Sequence, residues 1–172
     1  SQNHIKFVTT EYWDRHSIKP KKNTKIIQPG IFDTTKKPWI TIRDSLSDLP
    51  DPSKPNDFYN HTMQYGARAY AGHTGSCLDE PSKTIKAGTH GVPGGENMMV
   101  LDNGKVRYFT VREAARLQTF PDEYFFPCSW TESMRQIGNA VPVKLGRIVA
   151  DSVRRTLVSS KRSGTKHGKR DI

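Results

Sequence analysis

The chain has 172 residues, a formal charge of +10 and an apolar fraction of 34%, against roughly 45–50% for ordinary globular domains. That length allows one domain, or one small domain plus an element docked elsewhere, and predicts a modest core. No apolar run approaches the ~20 residues of a membrane span, no signal-peptide apolar region opens the chain, and Cys77 and Cys128 have neither a metal nor a disulfide-scaffold spacing, so a cytoplasmic location is expected.

Charge is unevenly placed. Residues 1–43 hold nine Lys/Arg against three acids and 159–172 hold five against one, while 44–158 hold thirteen of each. Basic flanks suit a polyanion such as DNA; they read equally as solubilising ends. Residues 14–38 are rich in Lys, Pro, Asn and Thr and predict an extended surface segment. Trp39–Pro50 predicts a short strand turning into a short helix, capped by Thr41 or Asp44 and stopped at Pro50. A proline-bearing loop over 51–60 follows, then a small, turn-rich β region. Within it Ser82–Ala87 alternates as a strand does, and 89–95 is a glycine-dense loop. Met98–Phe109 predicts a hairpin closed by a type I′ turn at Asn103-Gly104. A helix then starts at Thr110, with Glu113 completing a capping box and Pro121 marking the end. A last helix begins near Pro142 and carries Leu145, Ile148, Val149, Val153 and Leu157 on one face. That stripe needs a partner, and the small β region is too slight to supply one.

Two blocks carry chemistry: Phe109-Thr-Val-Arg-Glu-Ala-Ala-Arg-Leu-Gln-Thr-Phe-Pro121 and, 14 residues later, Gln136-Ile-Gly-Asn-Ala-Val-Pro142. In order and spacing they resemble the ninth and tenth motif blocks of the cytosine-5 DNA methyltransferases. Trp39–Pro50 resembles the segment leading into that family's recognition domain, and Thr84-Ile85 its Thr-Leu pair. The likeness covers about residues 39–157. The 172 residues contain no Pro-Cys-Gln nucleophile block, no Glu-Asn-Val block and no Phe-x-Gly-x-Gly cofactor loop. Ser1–Val8 resembles the eighth block only faintly, without its arginines.

The resemblance implies an α+β fold: a small recognition domain, then helices, the last docking on the Rossmann-like catalytic domain of a partner chain. The corresponding divisions are a basic segment over 1–43, a recognition domain with the ninth block over 44–127, the tenth block and docking helix over 128–158, and a basic tail over 159–172. It also implies a reaction, in which the target cytosine is flipped out, a cysteine thiolate attacks C6, and the methyl group passes from S-adenosyl-L-methionine to C5. This chain would recognise double-stranded DNA and form one wall of the cofactor pocket, with no catalytic residue of its own. A complementary chain carrying the first eight blocks would complete a restriction–modification methylase. The alternatives are a non-enzymatic DNA-binding module or degenerate remnant, and an interaction protein that uses its basic ends.

Residue by residue, the resemblance assigns Asn139 and the Ala140 backbone to the cofactor, beside free N–H groups expected at the start of the final helix. Thr84 matches the phosphate-contacting threonine. Arg68, Lys83, Lys86, His90 and also His73 are DNA candidates from the neighbouring glycine-rich loops. Arg112 is expected to make buried structural hydrogen bonds, paired with Glu113 or Glu96, rather than a phosphate contact. Pro127-Cys128 is not the nucleophile block, because Ser129 follows instead of Gln; Cys128 is expected to be a small, at least half-buried residue. No metal site is expected.

Overall fold

A computed structural model describes residues 10–19, 39–87 and 97–164. Five helices and three short strands follow in order: α1 Thr10–Arg15, α2 Ile42–Leu46, β1 Ser76–Cys77, β2 Met98–Val100, β3 Val106–Tyr108, α3 Val111–Leu117, α4 Trp130–Asn139 and α5 Val143–Gly164. This is the α+β class that the sequence predicts. The strands form one sheet in the order β1-β2-β3, with β1 parallel to β2 and β3 antiparallel to it. The N-terminal block 1–8 and the glycine-dense loop 89–95 lie outside the described residues, as do His90 and Glu96.

The hairpin forms where predicted, with a different turn. Gly104 has φ +78° while Asn103 stays at negative φ. Gly104 N–H donates to the Leu101 carbonyl and Leu101 N–H to that of Lys105, at 2.9 and 2.8 Å. This is a three-residue connection, a turn followed by one left-handed glycine, rather than the two-residue type I′ loop.

The capping box expected at Thr110 forms, and Thr41, one of the two caps expected for α2, makes a second box with Asp44. Thr41 and Asp44 exchange side-chain and backbone hydrogen bonds around the start of α2, as Thr110 and Glu113 do around α3. Trp39 and Ile40, expected to begin as a strand, are instead extended, unpaired and exposed. The segment expected to be extended, 14–38, begins inside a helix: its first two residues are the end of α1. Tyr12 of α1 is buried and donates to Asp79 at 2.9 Å, and His16 and Arg15 both meet Asp44.

One core holds most of these parts together, while Tyr12 and Trp13 of α1 pack with Ile18 in a second, small cluster. Ile42 from α2, Ile85, Met99 from β2, Phe109, Val111, Ala114 and Ala115 from α3, Phe126, and Met134 and Ile137 from α4 form a single cluster. The two alanines are fully buried, so α3 approaches its neighbours closely, as its small residues suggest. Trp130 donates from its ring nitrogen to the Phe109 carbonyl at 3.0 Å, which pins α4 to the end of the hairpin.

Arg112 lies at the centre of the scaffold and is fully buried. Its Nε donates to the Tyr59 carbonyl at 3.0 Å, Nη1 to Pro121 at 3.0 Å and Nη2 to Tyr124 at 2.6 Å. The structural role is as expected, but the partners are not. Glu113 is bound by its own capping box and by a two-pronged pair with Arg107, and the nearest carboxylate to Arg112 is Asp122 at 3.8 Å. Desolvation lowers the guanidinium pKa from its ordinary value, with Asp122 opposing. Beside it Asn60, at φ +62°, clamps the Phe126 backbone through both amide atoms at 2.9 Å. The buried His61 bridges Thr110 Oγ1 and the Pro50 carbonyl, each at 2.9 Å.

Arg116 binds Asp122 and Asp48, and its hydrogen bonds hold both carboxyls below the usual carboxylate range. A depressed folded-state pKa gives stability that is complete above about pH 4 and is lost as pH falls through the folded values. Arg116→Gln should therefore lower the urea midpoint at pH 6 and make much less difference at pH 3. An equal loss at both values would show that Arg116 acts by packing alone.

Candidate nucleic-acid and cofactor interface

The predicted DNA-side residues fall into two groups. Lys83, Thr84 and Lys86 share one extended segment, with Thr84 and Lys86 exposed on either side of the buried Ile85. The alternation read from the sequence is present only over 84–87, since Lys83 and Thr84 are both exposed, and the segment joins no ladder; its exposed–buried pattern comes from pressing against the core. Three contacts hold it: Lys83 N–H donates to Ser76 Oγ at 3.2 Å, Asn97 Nδ2 donates to the Lys86 carbonyl at 3.3 Å, and Ile85 enters the cluster that contains Ile137. Lys83 Nζ also donates to Thr74 at 3.2 Å.

Arg68 is exposed on a separate loop. That loop ends in a tight Tyr70–His73 bridge, with Gly72 at φ +82° and the two rings 4.3 Å apart. His73 is thereby half-buried in a turn. The exposed Tyr65 and Tyr70 flank Arg68.

On the cofactor side the tenth block is not a flexible turn. Gln136–Asn139 is the last turn of α4, and Ala140 is its C-cap in an extended conformation. The pattern is helical because Ser129 caps α4 and Ser133, Met134 and Ile137 form its buried face. The first amides of α5 are already engaged: Val143 N–H donates to the Gln118 carbonyl at 3.1 Å and Lys144 N–H to Thr119 Oγ1 at 2.9 Å. Thr119 adopts φ +60° to make this turn. The free donors expected there are thus partly satisfied from within the chain. Ala140 N–H goes to the Ile137 carbonyl at 3.2 Å, so its carbonyl is the backbone group it can offer. Asn139 is exposed, and its amide can both donate and accept. That suits a polar ligand such as S-adenosyl-L-methionine.

Gln118 Nε2 donates to the Ile137 carbonyl at 3.3 Å. Through residues 118 and 119 the ninth block therefore grips both the end of α4 and the start of α5.

Cys128 is exposed, not buried. Its sulfur takes a weak contact from Gln136 at 3.5 Å, and the nearby Glu132 carboxyl is held at about 2 by hydrogen bonds from Arg135 and Gln136. Cys77 is half-buried, and both thiols are free.

The family profile described as C-5 cytosine-specific DNA methylase matches residues 4–155 of this chain, and so spans both blocks and the segments that join them. The chain belongs to this family. Among its curated relatives, the type II methyltransferase M.HindV of Haemophilus influenzae is 35% identical over 119 residues, covering 66% of this chain and 36% of the relative. M.SacI of Streptomyces achromogenes is 30% identical over 149 residues, covering 69% of this chain and 38% of the relative. A shorter and closer match, 56% over 48 residues, is to M.AgeI of Thalassovita gelatinovora, covering 28% of this chain and 11% of that protein. The chain therefore spans between 35% and 44% of the length of the relatives it matches most broadly. No helix among the described residues is long and apolar enough to cross a membrane.

Asn60, His61 and Asn97 were not legible as functional residues. Asn60 fixes backbone 66 residues away, and His61 and Asn97 each fix backbone 11 residues away, roles that leave no local pattern.

Proposed function

We propose that this chain is the DNA-recognition and cofactor-wall part of a cytosine-5 DNA methyltransferase of a restriction–modification system. It would work with a catalytic part, on a complementary chain, that supplies the cysteine thiolate, the acid and most of the S-adenosyl-L-methionine site. The family match over residues 4–155 carries this reading. Its relatives are named type II methyltransferases. The proposed divisions are the basic segment 1–43, the recognition domain 44–127, the junction and docking helix 128–158 and the basic tail 159–172.

S-adenosyl-L-methionine, when bound, supplies the electrophilic methyl group. The residues of this chain bind and orient. Thr84 and Lys86 present a hydroxyl and an ammonium to the phosphate backbone, and Lys83 and Arg68 add positive charge beside it. Asn139 and the Ala140 carbonyl hydrogen-bond the cofactor. Arg112 and Asn60 keep the loops that frame these groups in place.

Uncovered apolar surface supports the need for another part. In α5, Leu145, Ile148, Val149, Val153 and Leu157 are all 50–66% exposed, although they form one stripe. Such a patch marks a binding surface.

In the completed enzyme, Asn139→Ala should raise the KM for S-adenosyl-L-methionine about tenfold, the effect of losing one hydrogen bond of roughly 1–1.5 kcal/mol, and leave the KM for DNA unchanged. Thr84→Val should weaken DNA binding and spare the cofactor. The opposite pattern would mean that the two sites are exchanged.

A further inference from the structure

Gly138 is the penultimate residue of α4, where alanine would favour the helix by about 1 kcal/mol. Its backbone is not in the left-handed region, so conformational freedom does not explain the glycine. Space does. A Cβ at this position would fall 2.4 Å from the Ala87 nitrogen, 2.6 Å from the Lys86 carbonyl carbon and 3.0 Å from the Ala87 Cα. All three are main-chain atoms and cannot swing aside. The recognition segment therefore lies with its backbone directly against the end of α4, made possible by the missing side chain. On the segment's side the fit is tightened by Ile85, packed in the cluster with Met134 and Ile137, and by Asn97 holding the Lys86 carbonyl.

We propose that Gly138 is a positioning residue that joins the DNA side and the cofactor side of the interface into one body. Thr84 and Lys86 are carried by the segment resting on Gly138, and Asn139 follows it in the chain. Displacing that contact moves both sets of groups together, so one substitution disturbs two ligands that share no residue. This inference rests on the site assignment above.

The completed enzyme is compared with Gly138→Ala at equal concentrations of folded protein, fixed by thermal unfolding. Gly138→Ala should raise the KM for DNA and the KM for S-adenosyl-L-methionine each by about fivefold or more. A residue that only stabilises the fold would lower the folded fraction and leave both constants alone. Ile85→Val, a milder loosening from the other side of the contact, should raise both constants in the same sense by about twofold, a small fraction of the usual coupling range. It also keeps the test open if the alanine variant does not fold. A folded Gly138→Ala enzyme with either constant unchanged overturns the proposal, as does unchanged behaviour of Ile85→Val where the alanine variant cannot be made. If instead Asn139→Ala and Thr84→Val move neither constant while Gly138→Ala moves both, the site assignment fails and the junction stands.

Discussion

Arg112→Met is expected to destabilise the protein by about 3–5 kcal/mol, the largest effect of any single substitution considered. The side chain is fully buried and serves three carbonyls, of Tyr59, Pro121 and Tyr124. Methionine fills most of the volume but donates nothing, which strands the Tyr59 and Tyr124 carbonyls at roughly 1–3 kcal/mol each before relaxation, while the Pro121 carbonyl keeps the Tyr124 N–H. Breaking a buried charged network by removing one partner costs a similar amount. Against a typical total stability of about 5–15 kcal/mol, much of the folded population is at risk. Arg112→Lys should recover only part of the loss, because one ammonium cannot reproduce a planar fork aimed at separate loops. Urea unfolding followed by the fluorescence of Trp130, whose ring nitrogen is bonded to Phe109, measures the difference. A shift of less than about 1 kcal/mol, the net worth of one ordinary hydrogen bond, would remove Arg112 from the centre of the scaffold.

Val149→Asp should weaken assembly with the catalytic part at least a hundredfold, about 3 kcal/mol, while leaving the fold of this chain unchanged. The fold is insensitive because Val149 is 54% exposed and its α5 neighbours are similarly open. Under the proposed docking, assembly is sensitive because a carboxylate buried in an apolar seam has nothing to pair with. Titration of labelled chain with the catalytic polypeptide, beside a thermal melt of the chain alone, separates the two effects. Unchanged affinity would defeat the docking proposal, and an unchanged complex with a lowered melting temperature would place the helix against this chain instead.

The sequence disclosed those parts of the molecule whose cause is local. Thr110 with Glu113 is the capping box read from the sequence, because residues three apart exchange hydrogen bonds, and Thr41, one of the two caps offered for α2, does cap it. The stripe on α5 follows from the period 3.6, and the hairpin over 98–109 from the Asn103-Gly104 turn between two apolar runs, in the same local way. The missed features have distant causes. Residues 84–87 alternate because one face meets α4 and Ile85 enters the core, so the pattern was real there while a ladder was not. The helical state of Gly138-Asn139 runs against the local preferences of both residues and is held by Ser129, Met134 and Ile137. Partners of Arg112 could not be read at all. Glu113 is adjacent in sequence yet engaged by Arg107, and the carbonyls that replaced it belong to loops 9 to 53 residues away. For the interface, the blocks identified Asn139 and Thr84 as candidates, whereas their connection through the Gly138–Ala87 contact is visible only in three dimensions.

The anchoring of Arg112 to main-chain oxygens has an evolutionary consequence. A carbonyl is supplied by every amino acid, so the guanidinium specifies where the loops around 59 and 121–124 must run without specifying which side chains they bear. Tyr59 and Tyr124, both exposed, can mutate while the arginine keeps all its acceptors. A scaffold addressed in this way tolerates rapid change at its rim without any rebuilding of the frame beneath it.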